Sequence, residues 1–279
     1  MYENKKTCRL GVMQGRLLPK HNGRYQAHPV GYWRDEFPIA KELGLDLIEF
    51  IYDYNDVELN PLSSIQGIKE LNKTIEKTEV LVKTICADYF MEAPLHMGDE
   101  TEKSKKTLIN LINNAFEIGV EIIVIPCVDH STLSNEEEKS LFVENLKPCL
   151  EVAHNKNISL SLETDLGPKE FKDLLNKISH PNISVNYDSG NSASLGYKVN
   201  EEFEAYGKYV TDIHIKDRPL GEGSVILGQG NVDFNLFIDS IPKNYIGPII
   251  MQAFRDDEGL EVFKSQLNWI KPKLINFIN

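Results

Sequence analysis

The sequence predicts an α/β protein built as one (β/α)8 (TIM) barrel over residues 1–279, and three observations carry that prediction. Eight short apolar runs rich in β-branched residues recur, centred near Val12, Ile48, Ile85, Val124, Leu160, Val185, Ile213 and Ile250, at separations of roughly 25 to 40 residues. Stretches with helical periodicity separate them. No linker, low-complexity tract or break in composition divides the chain, and eight strand–helix units fill the ~250 residues typical of a closed barrel. A doubly wound open sheet is the competing arrangement. Its dinucleotide-binding form needs GxGxxG after the first strand, where GVMQGR stands instead.

Each helix carries its own start or stop signal. Arg34–Leu43 precedes Gly44, Ser64–Lys77 opens on a capping serine, Thr101–Ile118 precedes Gly119, and Asn135–His154 opens on a capping asparagine. Pro168–Ile178 places proline in the first turn, where its missing N–H has no bond to lose. Glu201–Tyr206 precedes Gly207, and Phe234–Ser240 and Glu258–Phe277 complete the set. The segment Leu17–Trp33 is long for a strand-to-helix loop and so a candidate cap over a site or contact to a second subunit.

Composition narrows the function. The chain has 30 Lys+Arg against 42 Asp+Glu, a net charge of −12, which opposes nucleic-acid binding. At 41% hydrophobic and 26% charged it is an ordinary globular composition. A chain of this size builds its core without a structural metal or disulfide, so a bound metal would be functional. Cys8, Cys86, Cys127 and Cys149 are widely spaced without a CxxC pair, which points to reduced thiols and a cytoplasmic location. No apolar leader core precedes the first strand and no 18-residue apolar stretch occurs, so a membrane partner is not expected.

In a barrel, strand residues alternate between the helix-facing side and the interior, and function gathers at the strands' C-terminal ends. In ISLSLETD, Ile158, Leu160 and Leu162 share one face and Ser159, Ser161 and Glu163 the other. The same split sets Ile183, Val185 and Tyr187 against Ser184, Asn186 and Asp188, and Ile213 and Ile215 against Asp212, His214 and Lys216. In GPIIMQAFR, Ile249 and Met251 face outward and Gln252 inward. Four successive strands thus bring Glu163, Asp188, His214 and Gln252 to one mouth, two hard carboxylates, an imidazole and a neutral oxygen suited to Mn²⁺, Co²⁺, Zn²⁺ or Mg²⁺.

These segments, SLETD, NYDSGN, GVMQGRL and above all HIKD followed by G-x-V-x-LG-x-G-x-VDF from His214 to Phe234, resemble the xylose-isomerase-like sugar-phosphate isomerase and epimerase superfamily, which includes endonuclease IV. The resemblance spans essentially the whole chain. It implies a divalent metal held by Glu163, Asp188, His214 and Gln252, and a small carbohydrate or sugar phosphate as substrate. Family barrels are often dimers or tetramers, so a homo-oligomer is also implied.

Two positions depart from the family pattern. Gln252 stands where a second glutamate is usual, and Asn191 where histidine is frequent. Epimerases of the family exchange protons at opposite substrate faces with two glutamates, and an amide has no proton to exchange. A 1,2-isomerisation needs one carbon base, so the expectation is a metal-dependent isomerase working through an enediolate, with Glu163 as base and Lys216 as a charge near the carbonyl. Asp88, Glu49 and Asp217 stand as other bases if the metal occupies Glu163. Alternatives are a dehydratase on a keto-inositol or keto-sugar and a non-catalytic sugar-binding barrel. Endonuclease chemistry is opposed by Asn191 and by the net charge. Substrate contacts are expected from Gln14, Arg16, Glu49, Asp88, Asn191, Arg218 and Arg255, with the arginines and Lys216 forming a handle for an anionic group.

Overall fold

The computed structural model describes residues 8–278. Eight parallel strands pair in chain order and close into a barrel: β1 (Leu10–Met13), β2 (Leu47–Ile51), β3 (Thr84–Cys86), β4 (Ile122–Cys127), β5 (Ser159–Thr164), β6 (Ile183–Asp188), β7 (Val210–Ile215) and β8 (Ile249–Met251). All eight apolar runs expected from the sequence are strands. The helices alternate with them in one domain.

Local signals set the helix ends. Ser64 accepts from the Gly67 N–H at 3.0 Å, and Asn135 from the Glu138 N–H at 2.9 Å, so both caps act as the sequence suggested. The helix expected over Glu258–Phe277 runs instead as Leu260–Ile270, followed by a 3-10 turn at Lys271–Leu274 and a last turn at Ile275–Ile278. Pro272 explains the break, because it removes a backbone donor and crowds the preceding turn. Short helices at Tyr89–Glu92 and Ser189–Leu195 carry no sequence periodicity and were not expected.

Strand alternation divides the core in two. Ile158, Leu160, Leu162, Ile183, Val185, Tyr187, Ile213, Ile215, Ile249 and Met251 pack outward against the helices. Inside, Met13, Leu47, Ile51, Cys86, Ile122, Val124 and Ile250 form a separate apolar plug. The β5–β7 side of the interior is polar: Asp212 accepts from Ser161 Oγ at 2.6 Å and Asn186 Nδ2 at 2.5 Å. Register places Asn186 beside Asp212 and Asp188 beside His214, stacking two polar layers toward the C-terminal mouth.

Candidate metal and active site

Glu163 ends β5, Asp188 ends β6, His214 lies one residue before the end of β7, and Gln252 follows β8. One ligand atom each from Glu163, Asp188 and His214 falls within 4.8 Å of the others. All four side chains are buried. His214 Nδ1 lies 3.9 Å from Glu163 Oε2 and has no hydrogen-bond partner; Gln252 Oε1 is likewise buried and unpartnered. Two buried carboxylates, an orphaned imidazole nitrogen and an orphaned amide oxygen are the donor set a divalent cation takes, and nothing among the described residues satisfies the last two. The residues present therefore fit the group.

His214 is held from below. Its Nε2 sits 2.7 Å from Glu49 Oε1, with both side chains fully buried. A carboxylate at one ring nitrogen favours N–H there and turns the other lone pair toward Glu163 and Asp188, the usual arrangement behind a ligating histidine. Burial alone would lower the imidazole's pKa, but Glu49, Glu163 and Asp212 outweigh it and hold it up at about 10. Burial, with the charge of Asp188 nearby, pushes Glu163 up to about 7, against the pull of His214 and Lys216. Asp212 is raised to about 6 by burial and then by Glu49. Glu49, Asp212 and His214 make a second group of three within 4.8 Å, a layer deeper.

Asn191 knits the mouth together. Its Nδ2 donates to Glu163 Oε1 at 2.5 Å, its N–H donates to Asp188 Oδ1 at 2.8 Å, and its Oδ1 accepts from Arg218 Nη1 at 2.8 Å. Lys216 Nζ reaches Asp188 Oδ2 at 3.5 Å. Gly190 lets this happen, since a Cβ there would sit 2.7 Å from Lys216 Cγ and 3.0 Å from its backbone carbon.

Above these groups opens a cavity of about 670 Å³ lined by Glu163, Gln252, Asp88, Asn191, Lys216 and Arg218, together with Arg24, Gln26 and Asp53. A cavity of about 830 Å³ at the N-terminal end is lined by Arg9, Asn157, Lys208 and Tyr245 and holds none of the grouped carboxylates or His214.

Four expected substrate contacts lie elsewhere. Arg16 is spent inside the protein, donating to Ala253 O at 3.0 Å, Tyr25 O at 3.4 Å and Gln26 Oε1 at 2.9 Å. Arg255 grips the carbonyls of Gly15 at 2.6 Å and Leu18 at 2.7 Å. Neither reaches the cavity, because the first loop folds back over both. Gln14 accepts from the Ile51 N–H at 3.0 Å and faces His28 Nδ1 at 3.0 Å, and Glu49 lies beneath His214. The arginines that line the cavity are instead Arg24 and Arg218. Arg24, Gln26 and Asp53 were not expected, and the length of Leu17–Trp33 was the one signal that pointed to the loop carrying the first two.

Asp217 is no base. Its Oδ2 accepts from the N–H groups of Gly228 (2.8 Å) and Gly230 (2.9 Å), and its Oδ1 from that of Val232 (3.1 Å). The most distinctive stretch of the sequence, from HIKD to VDF, is thus a loop folded around one aspartate.

The chain belongs to the xylose isomerase-like TIM barrel family, whose model matches residues 37–273. Among curated proteins it is similar to the L-ribulose-5-phosphate 3-epimerases of Escherichia coli, 26% identical over 89% of this chain and 93% of the relative. Among solved structures it resembles the 3-keto-D-glucoside 4-epimerase of E. coli (15% identity, TM-score 0.72, 95% of this chain and 99% of the other). It also resembles a xylose isomerase-like TIM barrel protein of Mycobacterium smegmatis in complex with magnesium (17% identity, TM-score 0.72, 100% of both chains). The structural matches establish the fold.

Proposed function

We propose that the protein is a divalent-metal-dependent isomerase of a small sugar or sugar phosphate, working through an enediolate with Glu163 as the carbon base. The observation that carries the reading is geometric: Glu163 is a buried carboxylate that lines the cavity beside Asp188 and His214, while an amide, Gln252, stands at the fourth position. A carboxylate so placed can take and return a proton of the substrate, whereas Gln252 has no proton to exchange. Glu163, Asp188, His214 and Gln252 would hold the metal, which when bound supplies a Lewis acid for the substrate's oxygens. Lys216 and Arg218 bring positive charge to the same wall, and Arg24 to the facing one, which fits a substrate with an anionic end. The relatives' names support a sugar substrate and favour a second reading, epimerisation at one carbon. Four buried free cysteines fit a cytoplasmic setting, and no helix among the described residues is long and apolar enough to cross a membrane.

The test is a panel of ketopentoses, ketohexoses and their phosphates incubated in D₂O with Mg²⁺-loaded protein and followed by NMR. Deuterium entering at a carbon next to the carbonyl, with an aldose as product and both lost in Glu163→Gln, is the expected result. A product inverted at one carbon establishes the epimerase reading instead. No exchange with any member refutes both.

A further inference from the structure

A 1,2-isomerisation moves two protons, one between carbons and one between oxygens, and the reading above assigns a carrier only to the first. We propose that Asp88 is the second carrier, passing the proton between the two oxygens of the substrate while Glu163 serves the carbons. The proposal rests on Glu163 being the carbon base.

Three other carboxyls near the mouth are committed elsewhere. Asp217 is saturated by three backbone N–H groups. Glu49 is sealed beneath His214. Asp53 is paired with Arg24 Nη1 at 2.7 Å and also accepts from the His28 and Asn55 N–H groups, so both its oxygens are occupied. Asp88 differs, because its hydrogen-bond partners are neutral: Gln26 Nε2 on Oδ2 at 2.8 Å and the Cys86 thiol on Oδ1 at 3.1 Å. It lines the cavity with Glu163 yet enters from the end of β3 rather than from β5, so the two carboxyls approach a bound substrate from different sides. Burial raises its pKa, with Asp53 adding to the rise, so its neutral form is accessible.

The steps balance without an oxidant or reductant. From an aldose, Glu163 removes the proton on C2, the C–H electrons form C1=C2, and the C1 oxygen is left as the anion of an enediolate. The Asp88 carboxyl then gives its proton to that oxygen, and the resulting Asp88 carboxylate removes the proton of the C2 hydroxyl. From the enediolate so formed, C2=O closes while the double-bond electrons take the proton from Glu163 onto C1, and both carboxyls return to their starting states. The ketose reacts by the reverse path, so Glu163 breaks its C1–H bond before Asp88 acts.

The experiment uses the Mg²⁺-loaded protein and whichever panel ketose exchanges with D₂O, comparing Asp88→Asn with Glu163→Gln. Asp88→Asn is expected to keep deuterium exchange at carbon within a few-fold of wild type while conversion to the aldose falls about 100-fold or more, the range for loss of a general acid–base group. Glu163→Gln is expected to lose both. Should Asp88→Asn fail to fold, as judged by circular dichroism, Asp88→Glu keeps a carboxyl at altered reach and is expected to slow conversion more than exchange. Unchanged conversion in Asp88→Asn, or exchange and conversion falling together in a folded variant, overturns the role of Asp88. Full exchange in Glu163→Gln, or none in wild type, overturns the reading beneath it.

Discussion

Glu36 gives the sharpest test of how the wall of the site is built. It opens the helix Glu36–Glu42 and turns its carboxylate back into the first loop, where Oε2 accepts the Gly15 N–H at 2.8 Å and Oε1 the Leu17 N–H at 3.0 Å. The side chain is fully buried. Burial pushes its carboxyl from 4.5 up to about 7, although the two N–H bonds and the charges of Arg16 and Arg255 pull the other way. The sign follows from proton binding: between pH 4.5 and 7 the folded state holds a proton that the unfolded chain has released. The contribution of this group is therefore complete below the unfolded pKa and is lost as pH rises to the folded one. With the folded carboxyl at about 7 and the unfolded one at 4.5, about 2.5 kcal/mol of stability disappears between pH 5 and pH 8.

Glu36→Gln removes that titration and keeps the shape. Its single acceptor oxygen leaves one of the two backbone N–H groups unsatisfied, a loss of about 1–3 kcal/mol that is independent of pH. Urea unfolding followed by tryptophan fluorescence, at pH 5 and pH 8, measures both terms. The variant is expected to be less stable at pH 5 by that amount and to close most of the gap at pH 8. Stability differences between wild type and variant that are equal at the two pH values refute the reasoning, since they leave no proton for Glu36 to have carried.

Asp188→Ala is expected to reduce the metal content of Mn²⁺-reconstituted protein from about one ion per chain to near zero, read by elemental analysis. Gln252→Glu replaces a donor by an acceptor against Gln26 Oε1, so it is expected to lose about 1 kcal/mol of stability without metal while binding Mn²⁺ more tightly through a third carboxylate; calorimetric titration and urea unfolding read the two effects. Asp217→Ala strands three loop N–H groups, for an expected loss of about 3 kcal/mol and a fall in melting temperature of about 6–12 °C. Gly230→Ala is expected to act in the same direction, because its Cβ would sit 2.3 Å from Asp217 Oδ1 and 2.7 Å from the Arg218 backbone carbon.

What could be read from the sequence was whatever obeys the strand period. Ile213 and Ile215 must face helices if Asp212 and His214 face inward, and that parity alone set Glu163, Asp188, His214 and Gln252 around one mouth. Depth was less legible than facing. Glu49 points inward as its strand requires, but β2 continues to Ile51, so the carboxylate lies below the rim and meets His214 rather than substrate. Loop side chains were the least legible, since no period governs them. Arg16 and Arg255 sit just past strand ends in the sequence, yet each is turned inward by carbonyls that come together only after folding, those of Ala253 and Tyr25 for Arg16 and those of Gly15 and Leu18 for Arg255. Gln26 carries neither charge nor pattern, and its place was invisible until that loop closed.

The substitution at position 252 fits its surroundings too closely to be read as the decay of a glutamate. The guanidinium of Arg16 can only donate, so it fixes Gln26 with Oε1 toward itself and Nε2 toward Asp88. The same Oε1 then presents an acceptor to residue 252, which an amide N–H satisfies at 3.1 Å and a carboxylate could not. That bond in turn leaves Gln252 Oε1 as its free end, buried and without a partner. One arginine therefore sets the polarity of a relay that ends at the carboxyl of Asp88 and the oxygen of Gln252, the groups proposed above for proton transfer and metal binding. A site drifting away from function would be expected to lose such donor–acceptor order first, because an unmatched buried polar atom costs about 1–3 kcal/mol with nothing to offset it. The order is intact from Arg16 to Asp88, and the one unmatched oxygen of Gln252 is the one that the proposed metal would take together with Glu163, Asp188 and His214.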